Sequence, residues 1–152
     1  MGSSWDKRLV EGKEAEERVK SLLRPKPGAI ILDTPEDVEG RQDFEMLYNG
    51  HAFRVEVKNE DKKVSTGNIC VEMCQGVPLM RVSGILASEA TVWIHTLQDE
   101  CVVYRKLAML RYCLNKVKKG TELRKFGDGG RCRGLIFTLG ERTFQRLELF
   151  GH

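Results

Sequence analysis

Residues Asp43–Lys58 read DFEMLYNGHAFRVEVK, two alternating runs on either side of Asn49-Gly50. Asn-Gly between such runs marks a β-hairpin closed by a two-residue type I′ turn, because both central residues must take positive φ. With that turn, Tyr48 faces His51, Met46 faces Phe53, Glu45 faces Arg54, Phe44 faces Val55 and Asp43 faces Glu56. Phe44, Met46, Tyr48, Phe53, Val55 and Val57 then share one apolar face. That face pins the register, since a slip by one residue would turn the whole set into water. The other face opposes two carboxylates and places Lys58 two residues further along the same strand. Like charges opposed across a strand pair destabilise it. Two carboxylates kept together in a register-locked sheet point to a divalent-cation site. Mg²⁺ takes one or two carboxylates and leaves its other positions to water and substrate phosphate.

Working outward, the stretch from about Trp5 to Leu23 reads as a helix with Trp5, Leu9, Gly12, Ala15, Val19, Leu22 and Leu23 on one stripe. Glu16 falls in the middle of that stripe, where a carboxylate is costly unless a cation or donor meets it. Two readings stand side by side: Glu16 caps or pairs with an arginine, or the helix delivers it to the edge of the Asp43/Glu56 site. Pro25-Lys26-Pro27-Gly28 ends the helix, Ala29–Leu32 reads as an edge strand, and Thr34–Arg41 as a loop. After the hairpin, the polar loop Asn59–Gly67 carries Lys62, Lys63, Ser65 and Thr66, suited to phosphates or to plain solvation. Asn68–Cys74 reads as a third strand with Ile69, Val71 and Met73 on one face and Glu72 on the other, as a carboxylate at the edge of the metal site or as an ordinary exposed strand glutamate. Gln75–Glu89 is irregular, with a helical turn at Ser88–Ala90. Thr91–Leu97 is a strong strand carrying Trp93 and His95, and His95, like His51, reads as a satisfied core histidine. The spacing predicts a second helix over Tyr104–Lys119 burying Leu107, Leu110, Leu114 and Val117. A flexible basic loop at Lys125–Arg133, a strand at Gly134–Leu139 and a terminal helix at Glu141–Phe150 complete the chain.

At 152 residues, 41% hydrophobic and 31% charged, the chain suits one soluble globular domain. No run reaches membrane-span length and no leader is seen, so a cytoplasmic protein is expected. The five cysteines lack C-x-x-C spacing and read as reduced, small core residues. Residues 127–130 lack the G-x-x-x-x-G-K-[ST] pattern, so no nucleotide cofactor is expected. Charge is uneven: residues 1–100 hold 13 Lys and Arg against 18 Asp and Glu, and residues 101–152 hold 12 against 4. An acidic, metal-suited half joined to a basic half fits an enzyme acting on a polyanion such as DNA.

Gly12-x-x-x-Glu16 on a helix, then Asp43, then Glu56-Val57-Lys58 on the next strand resembles the PD-(D/E)xK nuclease superfamily. The order and spacing are similar to its archaeal and phage Holliday-junction-resolvase branch, over about residues 8–75. Gln42 stands where the motif's proline gives the family its name, and Asp43 and Glu56 are thirteen residues apart. The resemblance implies an α/β, restriction-endonuclease-like core in a single domain over residues 1–152, a central mixed sheet of four or five strands flanked by helices. It implies a Mg²⁺-dependent DNA endonuclease, with Mn²⁺ able to substitute. Asp43, Glu56 and the Val57 carbonyl would hold the metal, and Glu16 a second ion or a metal-bound water. Lys58, expected to be charged without metal, would orient the attacking water, with Glu72 behind the site. The expected DNA contacts are Lys13, Lys62, Lys63, Ser65, Thr66, Arg131 and Arg133. Branched DNA is the first expectation for substrate and a homodimer for assembly, since cutting two symmetric strands needs two sites about a two-fold axis. The alternatives are a restriction- or repair-type nuclease and a non-catalytic nucleic-acid-binding protein on the same scaffold.

Overall fold

Asn49 and Gly50 both take positive φ, 51° and 81°, and the hairpin closes in the expected register from Tyr48↔His51 to Phe44↔Val55. The computed structural model describes residues 4–33, 43–60, 68–76, 81–97, 100–126 and 131–137. In chain order these form α1 (Ser4–Leu23), β1 (Ala29–Asp33), β2 (Phe44–Tyr48), β3 (His51–Asn59), β4 (Ile69–Gln75), β5 (Arg81–Val82), a 3-10 turn (Gly84–Leu86), β6 (Val92–Leu97), β7 (Glu100–Arg105), α2 (Lys106–Lys118), β8 (Arg124–Phe126) and β9 (Cys132–Phe137). The hairpin sits inside a five-stranded mixed sheet in the order β1-β2-β3-β6-β7, in which only β3 and β6 run parallel. The expected α/β fold with a central mixed sheet is present.

Alternation along the strands splits the core in two. Phe44, Met46, Val55, Val92, Ile94 and Val103 face α1, whose Val19 and Leu23 close that layer. Trp93, Leu97, Val102 and Tyr104 point to the opposite side. There a second, antiparallel sheet in the order β5-β4-β9-β8 supplies Ile69, Val71, Met73, Leu135 and Phe137, and α2 supplies Met109 and Cys113. Glu56 and Lys58 follow the alternation of β3 onto this second side.

Several expectations need correction. On α1, Leu9 and Leu22 are exposed, and Lys20, at 5% exposure, takes a place in the buried stripe. Tyr104 belongs to β7, where it pairs with Trp93, so the second helix starts at Lys106. It buries Met109 and Cys113, and leaves Leu107, Leu114 and Val117 exposed. Ser88–Ala90 is not helical. Ser88 Oγ accepts the Ala90 and Trp93 indole N–H groups, and the helical turn lies earlier at Gly84–Leu86. Within the expected basic loop, Lys125 pairs with Arg133 and Phe126 with Cys132, as strands of a hairpin. His51 is exposed rather than a core residue. All five cysteines are free, but only Cys113 is buried, which pushes its thiol up to about 12. The Thr34–Arg41 loop and the Glu141–Phe150 helix lie outside the described residues. Among the described residues no helix is long and apolar enough to cross a membrane.

Gly134 on β9 lies against β4, the neighbouring central strand of the second sheet, and an added Cβ there would stand 2.0 Å from the Val71 carbonyl oxygen. Neither backbone can yield, so Gly134→Ala is expected to cost about 2–3 kcal/mol in urea unfolding. Gly12→Ala, with open space around it on α1, should instead stabilise by about 0.5–1 kcal/mol. Equal effects of the two substitutions would contradict the packing described.

Candidate active site

Asp43 stands at a bend just before β2. The ladder ends at Phe44, and the Asp43 N–H donates to the Val55 carbonyl (2.9 Å) instead of continuing the register toward Glu56. The carboxylate turns back across β3, where Oδ2 accepts the Val57 N–H at 2.7 Å. The bend thus fastens Asp43 to β3 one residue beyond Glu56. Glu56, with an 18% exposed side chain, accepts from Lys58 through Oε1 at 2.9 Å.

The electrostatics show how crowded this corner is. Asp43 is held up to about 7, first by burial, then by the Glu56 charge; the Val57 N–H works against this, Glu16 adds to it, and Lys58 opposes it. Burial pulls the Lys58 ammonium down, but Glu56, by charge and by hydrogen bond, and then Asp43 and Glu72 together pull harder. Lys58 is therefore held above its usual range and stays charged, as expected.

Glu16 lies close enough for its charge to act on Asp43. Its own place on the helix is explained by Lys20, one turn further on, whose Nζ lies 3.0 Å from Glu16 and 5.4 Å above the Phe44 ring. The pairing reading of Glu16 was right in kind, with a lysine in place of the arginine. The i,i+4 Glu-to-Lys spacing is the sequence signal for this pair.

The fold therefore brings together Glu16, Asp43, Glu56, Val57 and Lys58, with Glu72 near enough for its charge to reach Lys58. Lys13 is exposed one turn before Glu16 on α1. Arg131 is exposed and Arg133 partly buried at the start of the last strand, and no described contact ties either of them to the site. Lys62, Lys63, Ser65 and Thr66 lie outside the described residues.

Among the described residues no group of three or more His, Cys, Asp or Glu side chains could hold a metal ion as it stands. The set at issue is smaller, namely two carboxylates and a backbone carbonyl. Mg²⁺ asks for no more than one or two carboxylates from a protein. An Asp43 carboxyl raised first by burial and then by the charges of Glu56 and Glu16 is a site where negative charge is costly, which a proton or a divalent cation relieves. The donor chemistry fits Mg²⁺ or Mn²⁺.

The chain has the fold of a bacterial homing endonuclease, I-Ssp6803I, whose solved structure superposes with a TM-score of 0.55 over 99% of this chain and 88% of that one, at 12% identity. No protein-family model matches the sequence, and no curated protein matches it either.

Asp43 also governs metal-free stability. Its carboxyl titrates near 7 when folded, against 3.8 for an ordinary aspartate. Between those values the folded protein binds more protons than the unfolded chain, so this group's contribution falls as pH rises through that window. Asp43→Asn keeps an acceptor for the Val57 N–H and removes the charge. Without metal it is expected to melt roughly 4–8 °C above wild type at pH 8, with the gap closing toward pH 4. Mg²⁺ should then raise the wild-type melting temperature and leave the variant unmoved. A variant no more stable than wild type at pH 8 would contradict the surplus charge.

Proposed function

We propose that this protein is a Mg²⁺-dependent DNA endonuclease, with Mn²⁺ able to substitute. The observation that carries the proposal is the Asp43 carboxylate fastened to the Val57 N–H (2.7 Å) and raised by burial and then by Glu56, with Lys58 2.9 Å from Glu56 Oε1. Asp43, Glu56 and the Val57 carbonyl would hold the ion, and Glu16 a second ion or a bound water. The metal's chemistry is to lower the pKa of its water and to neutralise charge on the scissile phosphate. Lys58, engaged with one oxygen of Glu56, leaves the other to the metal. Its fixed positive charge orients the attacking water and stabilises the anionic transition state. Lys13, Lys62, Lys63, Ser65 and Thr66 would hold the phosphate backbone, joined by Arg131 and Arg133 from the basic C-terminal third.

For substrate, the order of Glu16, Asp43 and Glu56-Val57-Lys58 favours branched DNA cut by a homodimer with two symmetric sites. A duplex-cutting nuclease of restriction or repair type is the second reading, and the shared fold with a homing endonuclease favours it. Incubation with a four-way junction, linear duplex and single strand, in Mg²⁺ or EDTA, separates them. Cleavage is expected in Mg²⁺ alone, reduced at least about 100-fold by Asp43→Asn and by Lys58→Ala. Preference for the junction supports a resolvase, and equal cutting of linear duplex supports the second reading. Binding without metal-dependent cutting leaves only a nucleic-acid-binding module, and cutting that survives both substitutions places the active site elsewhere.

The backbone contacts have their own readout. Arg131→Ala should weaken DNA binding to the same degree for every sequence and lower the slope of log affinity against log salt by about 1. An unchanged slope would remove Arg131 from the DNA surface.

A further inference from the structure

Lys58 stands over a buried layer of rings that the proposed chemistry leaves unused. On β6, Trp93 pairs with Glu56 and His95 with Lys58; on β7, Tyr104 pairs with Trp93. All three rings are essentially inaccessible to solvent. The Lys58 ammonium lies 5.2 Å from the centroid of the Trp93 ring, close enough for the negative ring face to attract it. The indole cannot swing away. Its N–H donates to Ser88 Oγ at 3.1 Å, and its ring packs with His95 at 6.1 Å and Tyr104 at 6.4 Å between centroids.

His95 is in turn held at both nitrogens. Nε2 bonds the Tyr104 hydroxyl, and Nδ1 lies 3.0 Å from Glu60 Oε1, which also accepts the Cys70 N–H at 2.9 Å. Glu60 itself is buried, and its N–H donates to the Thr96 carbonyl at 2.9 Å. One continuous chain of contacts thus runs from β4 through Glu60, His95 and Tyr104 to the ring beneath Lys58.

We propose that Trp93 is the positioning residue for Lys58, its ring face holding the ammonium beside Asp43 and Glu56, and that the Glu60–His95–Tyr104 chain holds this ring layer in place. The proposal rests on reading Lys58 as the group that orients the attacking water. A lysine on a flexible four-carbon stem, with 40% of its side chain exposed, has many rotamers to lose. Glu56 alone is a poor tether, because a metal draws on the same carboxylate. An indole is neutral and binds no Mg²⁺, so its hold on the ammonium persists when the site is loaded.

Two measurements test this. In a Trp5→Phe background Trp93 is the sole indole. Lys58→Met should shift its emission maximum, and Lys13→Met, on the exposed side of α1, should leave it alone. In single-turnover DNA cleavage with Mg²⁺, Trp93→Leu should slow the reaction about three- to thirtyfold, the worth of a cation–π contact, with DNA affinity in Ca²⁺ unchanged. Trp93→Phe, which keeps a ring face, should stay within about threefold of wild type. An emission indifferent to Lys58→Met, or equal rates for the Leu and Phe variants, overturns the proposal. If Trp93→Leu does not fold, the emission decides. If wild type cuts none of the DNAs, the nuclease reading fails by itself, and the emission still decides whether Trp93 holds Lys58.

Discussion

The structure turns on one enforced proximity, the Asp43 carboxylate held to the Val57 N–H while Glu56 and Glu16 press their charges on it. Left to itself the corner would relax, since carboxylates in water move apart. It cannot, because the hairpin that carries it is locked by an apolar face on α1 and by the positive φ of Asn49 and Gly50. The free energy that holds the like charges together comes from burying Phe44, Met46 and Val55, each on the order of 1.5–3 kcal/mol. On the proposed reading, a divalent cation is what relieves this crowding of charge.

The two sides of the five-stranded sheet do different work. The α1 side is apolar, with Phe44 and Met46 packed among Val19, Leu23, Val55 and Ile94, and supplies the clamp; Lys20 is buried there and paired with Glu16. The other side is aromatic and polar around Lys58, where Trp93, His95, Tyr104 and Glu60 form a hydrogen-bonded floor. Hydrogen bonds among buried groups are more directional than aliphatic contacts, so this side sets orientation where the first sets position.

The hairpin was legible because its signals are local. Asn49-Gly50 names its turn type, and six apolar residues in strict alternation admit one register. From that register came Asp43 beside Glu56, although the bend at Asp43, which puts its carboxylate on the Val57 amide, was not visible. The second sheet was illegible for the opposite reason. Its central pairing sets Ile69 against Phe137, and nothing in either strand announces a partner so distant in sequence. The helical pattern of the following residues extends back to Tyr104, and its pairing with Trp93 overrides that preference. Glu60 looked like part of a polar loop and proves to be buried on His95. The charged residues that the spacing singles out lie near one another, while the groups that hold them needed the folded chain.

The central claim is that Asp43, Glu56 and the Val57 carbonyl form a cation site. Crystals grown with Mn²⁺ and measured at its absorption edge test this directly. The account predicts an anomalous peak within roughly 2.5 Å of an oxygen from each of those three residues, with Lys58 still over the Trp93 ring. An ordered Mn²⁺ elsewhere, with Asp43 and Glu56 bare and Glu56 still engaged only by Lys58, would contradict it.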